Sequence, residues 1–169
     1  MPMQNAFVGV SGDLQILLEQ QKWISWLRRL TEQYHTVIVP GCGTQTNEMY
    51  EEKGWPRKKH GPLGRECDNL EEKQACRDVG EVVERDLQDF LKKMGIDAEV
   101  QIPFDYVGSV LNPVNVDVKI IAAYNGFNIL YRLTLKERVK DKRKNLYGAI
   151  RRLRLGRGDP RKKLKVIGF

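Results

Sequence analysis

The run from Val37 to Met49, VIVPGCGTQTNEM, constrains this chain more than any other feature: an apolar strand ends in a glycine-bearing turn that opens directly into a helix. Val37, Ile38 and Val39 are β-branched and favour a pleated, buried segment, and Pro40 removes a ladder donor at its end. Gly41 and Gly43 let the backbone turn tightly and approach a ligand with no Cβ in the way. The helix that follows, from Thr44 to about Lys53, presents free N–H groups and the positive end of its dipole, which favour phosphate or carboxylate. A tight structural connection would use the same residues, and neither GxGxxG nor GxxxxGK[ST] is present.

Alternation organises the rest. Ala6 to Val10 is a short apolar strand broken at Ser11, Gly12 and Asp13, where Asp13 is placed to cap a helix. Leu14, Leu17, Leu18, Ile24, Leu27 and Leu30 line one face of that helix to about Gln33, with Trp23 and Trp26 flanking it. After the strand Thr36 to Val39 and the glycine turn comes a loop shaped by Gly54, Pro56, Gly61, Pro62 and Gly64. It carries Arg57, Lys58, Lys59, His60 and Arg65 and reads as a substrate lip. Val79, Val82, Val83, Leu87, Phe90, Leu91 and Met94 mark a long amphipathic helix from about Leu70, stopped by Gly95. Ala98 to Phe104 is the next strand, with Asp105 and Tyr106 shaping the loop after it. Asn115 to Tyr124 is a helix and Asn128 to Leu135 a strand. KLKVIGF reads as a last strand. Helices alternating with strands, without tight hairpin turns, predict a mostly parallel sheet covered on both faces, with ligands at the carboxyl ends of the strands.

At 169 residues the chain reads as one domain, 1–169, long enough to bury a core. With 30% charged residues it reads as a soluble protein, and no apolar stretch approaches a membrane span. The first eleven residues are no signal peptide, so a cytoplasmic location without membrane contact is expected. Cys42, Cys67 and Cys76 are odd in number and form no CxxC, which implies neither a disulfide framework nor a zinc site. Cys42, at a helix start, is either a packed or a reactive thiol. No spacing suggests a metal cluster. Of the two histidines, His35 reads as structural or surface, while His60 sits in the lip.

The net charge of +7 is uneven. Arg132 to Lys165 holds fifteen Lys and Arg against three acids, and the remainder fourteen against nineteen. Such a segment could meet phosphates, nucleic acid or solvent alone, and its single aromatic residue, Tyr147, argues against a single-strand reader.

The runs PGCGTQTNEMYEEKG, GPLGRE, VNVDVKIIAA and NILYRLTLKERV, in this order, resemble the amino acid kinase superfamily, especially acetylglutamate kinases, while GVSGD is similar to the turn of uridylate kinases. The resemblance covers about residues 6–139 and leaves 140–169 as a basic C-terminal segment. It implies a three-layer αβα sandwich of the carbamate kinase-like fold with a truncated nucleotide half. It implies an ATP-dependent phosphotransferase, with Mg2+, acting on a small carboxylate or phosphorylated acceptor. Gly41, Cys42 and Gly43 would hold the acceptor and the transferred group, and Arg65 would grip a carboxylate. Asn115 would contact the acceptor, and Asp117 would organise the catalytic lysines, Lys119 first. Ser11, Gly12, Lys136 and Arg138 would face the nucleotide, with Lys140 or Lys142 as further cations. A homodimer is expected, and the apolar face around Trp23 and Trp26 would permit it. Three departures accompany the resemblance: Gly9 stands where most members carry a lysine, Cys42 replaces a glycine, and Leu135 replaces an aspartate. They leave two alternatives open: a degenerate module that binds a small anion or serves in assembly, and a binder of nucleic acid or an acidic partner through the basic segment.

Overall fold

The computed structural model describes residues 4–12, 21–156 and 158–168. Asp13, Leu14, Leu17 and Leu18, assigned above to the start of a helix, lie outside them.

Five strands form one parallel sheet. They are β1 (Gln4–Val10), β2 (Tyr34–Pro40), β3 (Ala98–Val100), β6 (Ile129–Thr134) and β7 (Leu164–Gly168), in the order β3-β2-β1-β6-β7. The helices are α1 (Gln21–Thr31), α2 (Gly43–Glu52), α3 (Leu70–Lys93), α4 (Val116–Ala123), α5 (Val139–Arg152) and the single turn α6 (Pro160–Lys163). The order of strands grows from β1 toward β3, then the chain returns to the other side of β1 to add β6 and β7. That reversal at β1 is the position where open α/β sheets leave a crevice.

Period-two alternation divides the core. Ala6, Val8, Val10 and Ile38 face one way and pack with Trp23, Ile24 and Leu27 of α1 and Leu87 and Leu91 of α3. Phe7, Val37 and Val39 face the other way and meet Val116 and Ile120 of α4 and Leu146 and Ile150 of α5. Strands covered on both faces read as continuous apolar runs, which is the pattern of β1 and β2. Gly9 has a packing reason: a Cβ there would lie 2.5 Å from Val116 Cγ1 and 2.9 Å from Ile120 Cδ1. It lets α4 sit directly on β1.

Helix ends follow their local chemistry. Asn69 caps α3 by accepting from Glu72 N at 2.9 Å, and Glu71 and Glu72 complement the dipole. At the other end Gly95 adopts φ +65° and the Ile96 amide donates to Leu91 O at 2.9 Å, closing the helix as a Schellman-type stop.

Two expectations need correction. The segment read as one strand from Ala98 to Phe104 is β3 alone, followed by a separate antiparallel hairpin, β4 (Phe104–Val107) and β5 (Val110–Pro113). Gly108, at φ +59°, turns it, so a tight hairpin does occur. In the basic C-terminal segment the stretch KLKVIGF contains β7, which pairs with β6, and Leu146, Ile150, Leu164 and Val166 lie in the core. Finally, Trp23 is only 2% exposed and Trp26 stacks edge-on against both Trp23 and Tyr131, so these tryptophans are packing rather than an open dimer face. No described helix is long and apolar enough to cross a membrane.

Candidate functional site

The carboxyl ends of β1, β2 and β6 converge under a cleft of about 490 Å³. Ser11 continues β1: its amide donates to Leu133 O at 3.1 Å and its hydroxyl to Thr134 Oγ1 at 3.3 Å. Gly12 then runs against Gly41, whose own amide donates to Val10 O at 2.7 Å. The opening turn of α2, Gly43 to Thr46, lines the cleft beside them. Cys42 occupies the N-cap of that helix and offers no side-chain acceptor to its amides, and the first turn carries no acid. The positive end of the α2 dipole therefore faces the cleft. Burial pushes the Cys42 thiol up, which outweighs its hydrogen bond with Thr46 and the pull of Arg65.

Arg65 comes from the lip, where the Gly61 amide donates to Gly64 O at 2.7 Å and a His60–Arg65 bridge closes a small loop. The arginine is 7% exposed, and its NH2 donates to Asn47 Oδ1 at 2.8 Å and lies 3.3 Å from His60 Nε2. Weaker contacts reach Gly43 O at 3.4 Å and Lys58 O at 3.5 Å, and the guanidinium lies over the Tyr50 ring. All these partners are uncharged. A guanidinium only donates, so His60 Nε2 accepts and the imidazole is neutral. Burial, then Arg65 and Lys142, push the His60 pKa below its ordinary value, in agreement with that geometry.

Asp117 lies in the first turn of α4. It accepts from Arg132 Nε at 2.7 Å and from Lys142 Nζ at 2.5 Å. Burial alone would raise this carboxyl, but the two cations outweigh it and hold it below the usual range. Arg132, only 5% exposed, is anchored further by donating NH1 to Leu133 O at 2.9 Å. Among the described lining residues, the cations are Arg65, Arg132, Arg138 and Lys142 and the acid is Asp117.

Most residues singled out from the sequence meet here: Ser11, Gly12, Gly41, Cys42, Gly43, Arg65, Asn115, Asp117 and Arg138 all line the cleft. Two do not. Lys119 turns away to the hairpin, donating to Phe104 O at 3.0 Å and pairing with Asp105. Lys136 stands in a 3-10 turn, Lys136–Arg138, packed beside Gly168. Asn115 is occupied as the cap of α4, accepting from Val118 N at 2.9 Å. Arg132 and Asn47 were missed. Arg132 is hidden inside an apolar strand pattern, and its only signal was a charge in the middle of β6; Asn47 stood in the run PGCGTQTNEMYEEKG that carries the resemblance but was given no role.

No family model matches the sequence, and no curated protein matches it. Eighteen chains of solved structures do match. One is N-acetylglutamate synthase from Neisseria gonorrhoeae complexed with coenzyme A and N-acetyl-glutamate, with a TM-score of 0.58 and 11% identity over 99% of this chain and 55% of that chain. The chain thus spans about half the length of that synthase, and at this identity the likeness concerns the fold.

The α/β class with a mostly parallel sheet stands. The amino acid kinase resemblance does not: this neighbour is an acetyltransferase that binds coenzyme A. With it go the expected phosphotransferase activity, the nucleotide, and ATP with Mg2+ as cofactor. Local geometry gives physical reasons. The Gly41 amide meant for a phosphoryl group is spent on Val10, Lys119 points elsewhere, and Leu135 packs against the core of α1 and α3.

Proposed function

We propose that the cleft binds a small carboxylate-bearing metabolite of the acylated amino acid type. The observation that carries this reading is Arg65: a nearly buried guanidinium at the cleft, whose named partners among the described residues are uncharged, beside the first turn of α2. Such a cation is positioned for a bidentate carboxylate and has no acid among its named partners to give up first. Arg132 and Lys142, tied together by Asp117, supply a second positive pole across the cleft for a second carboxylate. The similar fold of a synthase bound to N-acetyl-glutamate supports this ligand class.

A second reading, acyl transfer from a coenzyme A thioester to an amine, is favoured by that same neighbour's bound coenzyme A and by His60. His60 stands at the cleft wall, and its Nε2, once a bound carboxylate draws Arg65 away from it, is the group that takes a proton from an attacking amine.

Calorimetric titration with N-acetylglutamate, glutamate and acetate tests the binding reading. Saturable binding of the dicarboxylates, weakened at least tenfold in Arg65→Ala, is expected; equal affinity of wild type and variant would remove Arg65 from the reading. Release of free thiol from acetyl-CoA in the presence of glutamate tests the second, and its absence with binding retained would leave a binding module.

A further inference from the structure

Beneath the lip, the two thiols Cys67 and Cys76 face each other with sulfurs 3.8 Å apart. Cys67 is partly exposed on the irregular stretch between Arg65 and the start of α3, whereas Cys76 is 2% exposed within α3. Tyr50 Oη lies 3.8 Å from one sulfur and 3.9 Å from the other, and donates to Glu72 Oε2 at 3.3 Å. The arrangement has one accessible thiol, one buried partner in reach and a shared hydroxyl that fixes both.

We propose that Cys67 and Cys76 form an oxidisable dithiol that a hydroperoxide converts into an intramolecular disulfide. The Cys67 sulfur attacks one peroxide oxygen and the O–O bond breaks. Sulfur is oxidised to a sulfenic acid, and the departing hydroxide takes the thiol proton as water. The Cys76 sulfur then attacks the Cys67 sulfur, the S–S bond forms as the S–O bond breaks, and the second hydroxide leaves as water with the Cys76 proton. Two thiols and one hydrogen peroxide become one disulfide and two waters. The order of the two cysteines follows from exposure, since Cys67 is partly exposed while Cys76 is 2% exposed. The hydrogen bond from Cys76 supports it by drawing the Cys67 thiol down to about 7 against the effect of burial, while Cys76 itself is pushed up.

Closing the bond shortens the sulfur separation by roughly 1.8 Å. Cys76 is held in a helix packed through Val83, Leu87 and Leu91, so Cys67 and the irregular stretch must do the moving. Arg65 is two residues away, and Cys76 itself lines the cleft. Oxidation therefore shifts the arginine that holds the carboxylate, a consequence that rests on the proposed binding reading, whereas the cross-link does not.

The test is to treat the purified protein with one equivalent of hydrogen peroxide, block remaining thiols, and map peptides by mass. The expected result is a linked Cys67–Cys76 peptide, two hydrogens lighter than its parts, with Cys42 still blocked as a free thiol. It should vanish in Cys67→Ser and persist in Cys42→Ser. Wild-type protein that keeps all three thiols, stops at oxidised Cys67, or links either residue to Cys42 overturns the proposal. Because the deciding readout is made on wild type, the test stands even where Cys67→Ser fails to fold. The oxidised protein is then titrated with N-acetylglutamate: severalfold weaker binding is expected, and a cross-link without any change in affinity overturns the coupling to Arg65.

Discussion

Gly12 and Gly41 touch backbone to backbone: a Cβ on Gly12 would lie 2.8 Å from the carbonyl oxygen of Gly41, and a Cβ on Gly41 would lie 2.8 Å from the amide nitrogen of Gly12. Each is a glycine because of the other. A Cβ on Gly43, two residues on, meets nothing within 4 Å. Gly12→Ala and Gly41→Ala are therefore expected to cost about 1–3 kcal/mol each, as overpacking does, while Gly43→Ala stays within about 0.5 kcal/mol of wild type. Urea titrations followed by circular dichroism separate them, and equal losses at all three positions would contradict the contact.

Gly9 makes a similar argument about β1 and α4. Gly9→Ala should destabilise by about 1–3 kcal/mol, because its methyl runs into Val116 Cγ1. The double variant with Val116→Ala should recover part of that loss, since neighbours that share one space are not additive. Strictly additive losses in the thermal midpoints would mean that the clash is relieved elsewhere.

Asp117 couples pH to the second positive pole. Its folded pKa lies below its unfolded value of 3.8, so the stability it contributes is fully present above that value and is lost as pH falls through the folded pKa. Asp117→Asn removes that acid-side loss. At pH 7 it should cost about 2 kcal/mol through the two charged hydrogen bonds to Arg132 and Lys142. Denaturation curves between pH 2 and 7 check both; an unchanged slope below pH 4 would show that another group carries it.

His60 acts in the same direction at higher pH. Its folded pKa is below 6.5, so as pH falls through 6.5 the unfolded chain takes up the proton first and the empty protein loses stability. A bound carboxylate offsets the repulsion from Arg65 and Lys142. Binding should therefore take up a fraction of a proton and tighten severalfold from pH 8 to pH 5.5. Calorimetry in buffers of different ionisation enthalpy measures the uptake, and His60→Gln should abolish it.

The legible part of the structure was the part governed by a single period. β1 and β2 could be read because Phe7 to Val10 and Val37 to Val39 are covered on both faces, and α3 because its apolar stripe runs without interruption to Gly95. The hairpin was lost because Ile102, Pro103 and Phe104 continue the apolar character of β3 after its pairing has stopped. Gly108 and Ser109 between Val107 and Val110 were the signal available. Helix α5 was obscured by its own charge: Leu146 and Ile150 are the only fully buried side chains in a run dominated by Lys and Arg. At the site, the turn residues and Arg65 stood out through backbone chemistry and a glycine-rich loop. Arg132 and Lys142 became partners only when strand order brought β6 and α5 beside Asp117, a long-range fact that no local spacing encodes.

The parallel pairing of β7 with β6 also bears on one wall of the cleft. Lys142 rides on α5, which Leu164 and Val166 help to seat through the shared core, while Arg65 and the glycine turns are contributed from the first half of the chain. The two positive poles of the cleft are therefore anchored far apart in the chain, and losing the pairing of Leu164–Gly168 would loosen the seat of Lys142 while leaving Arg65 in its lip and the glycine turns on their own strands.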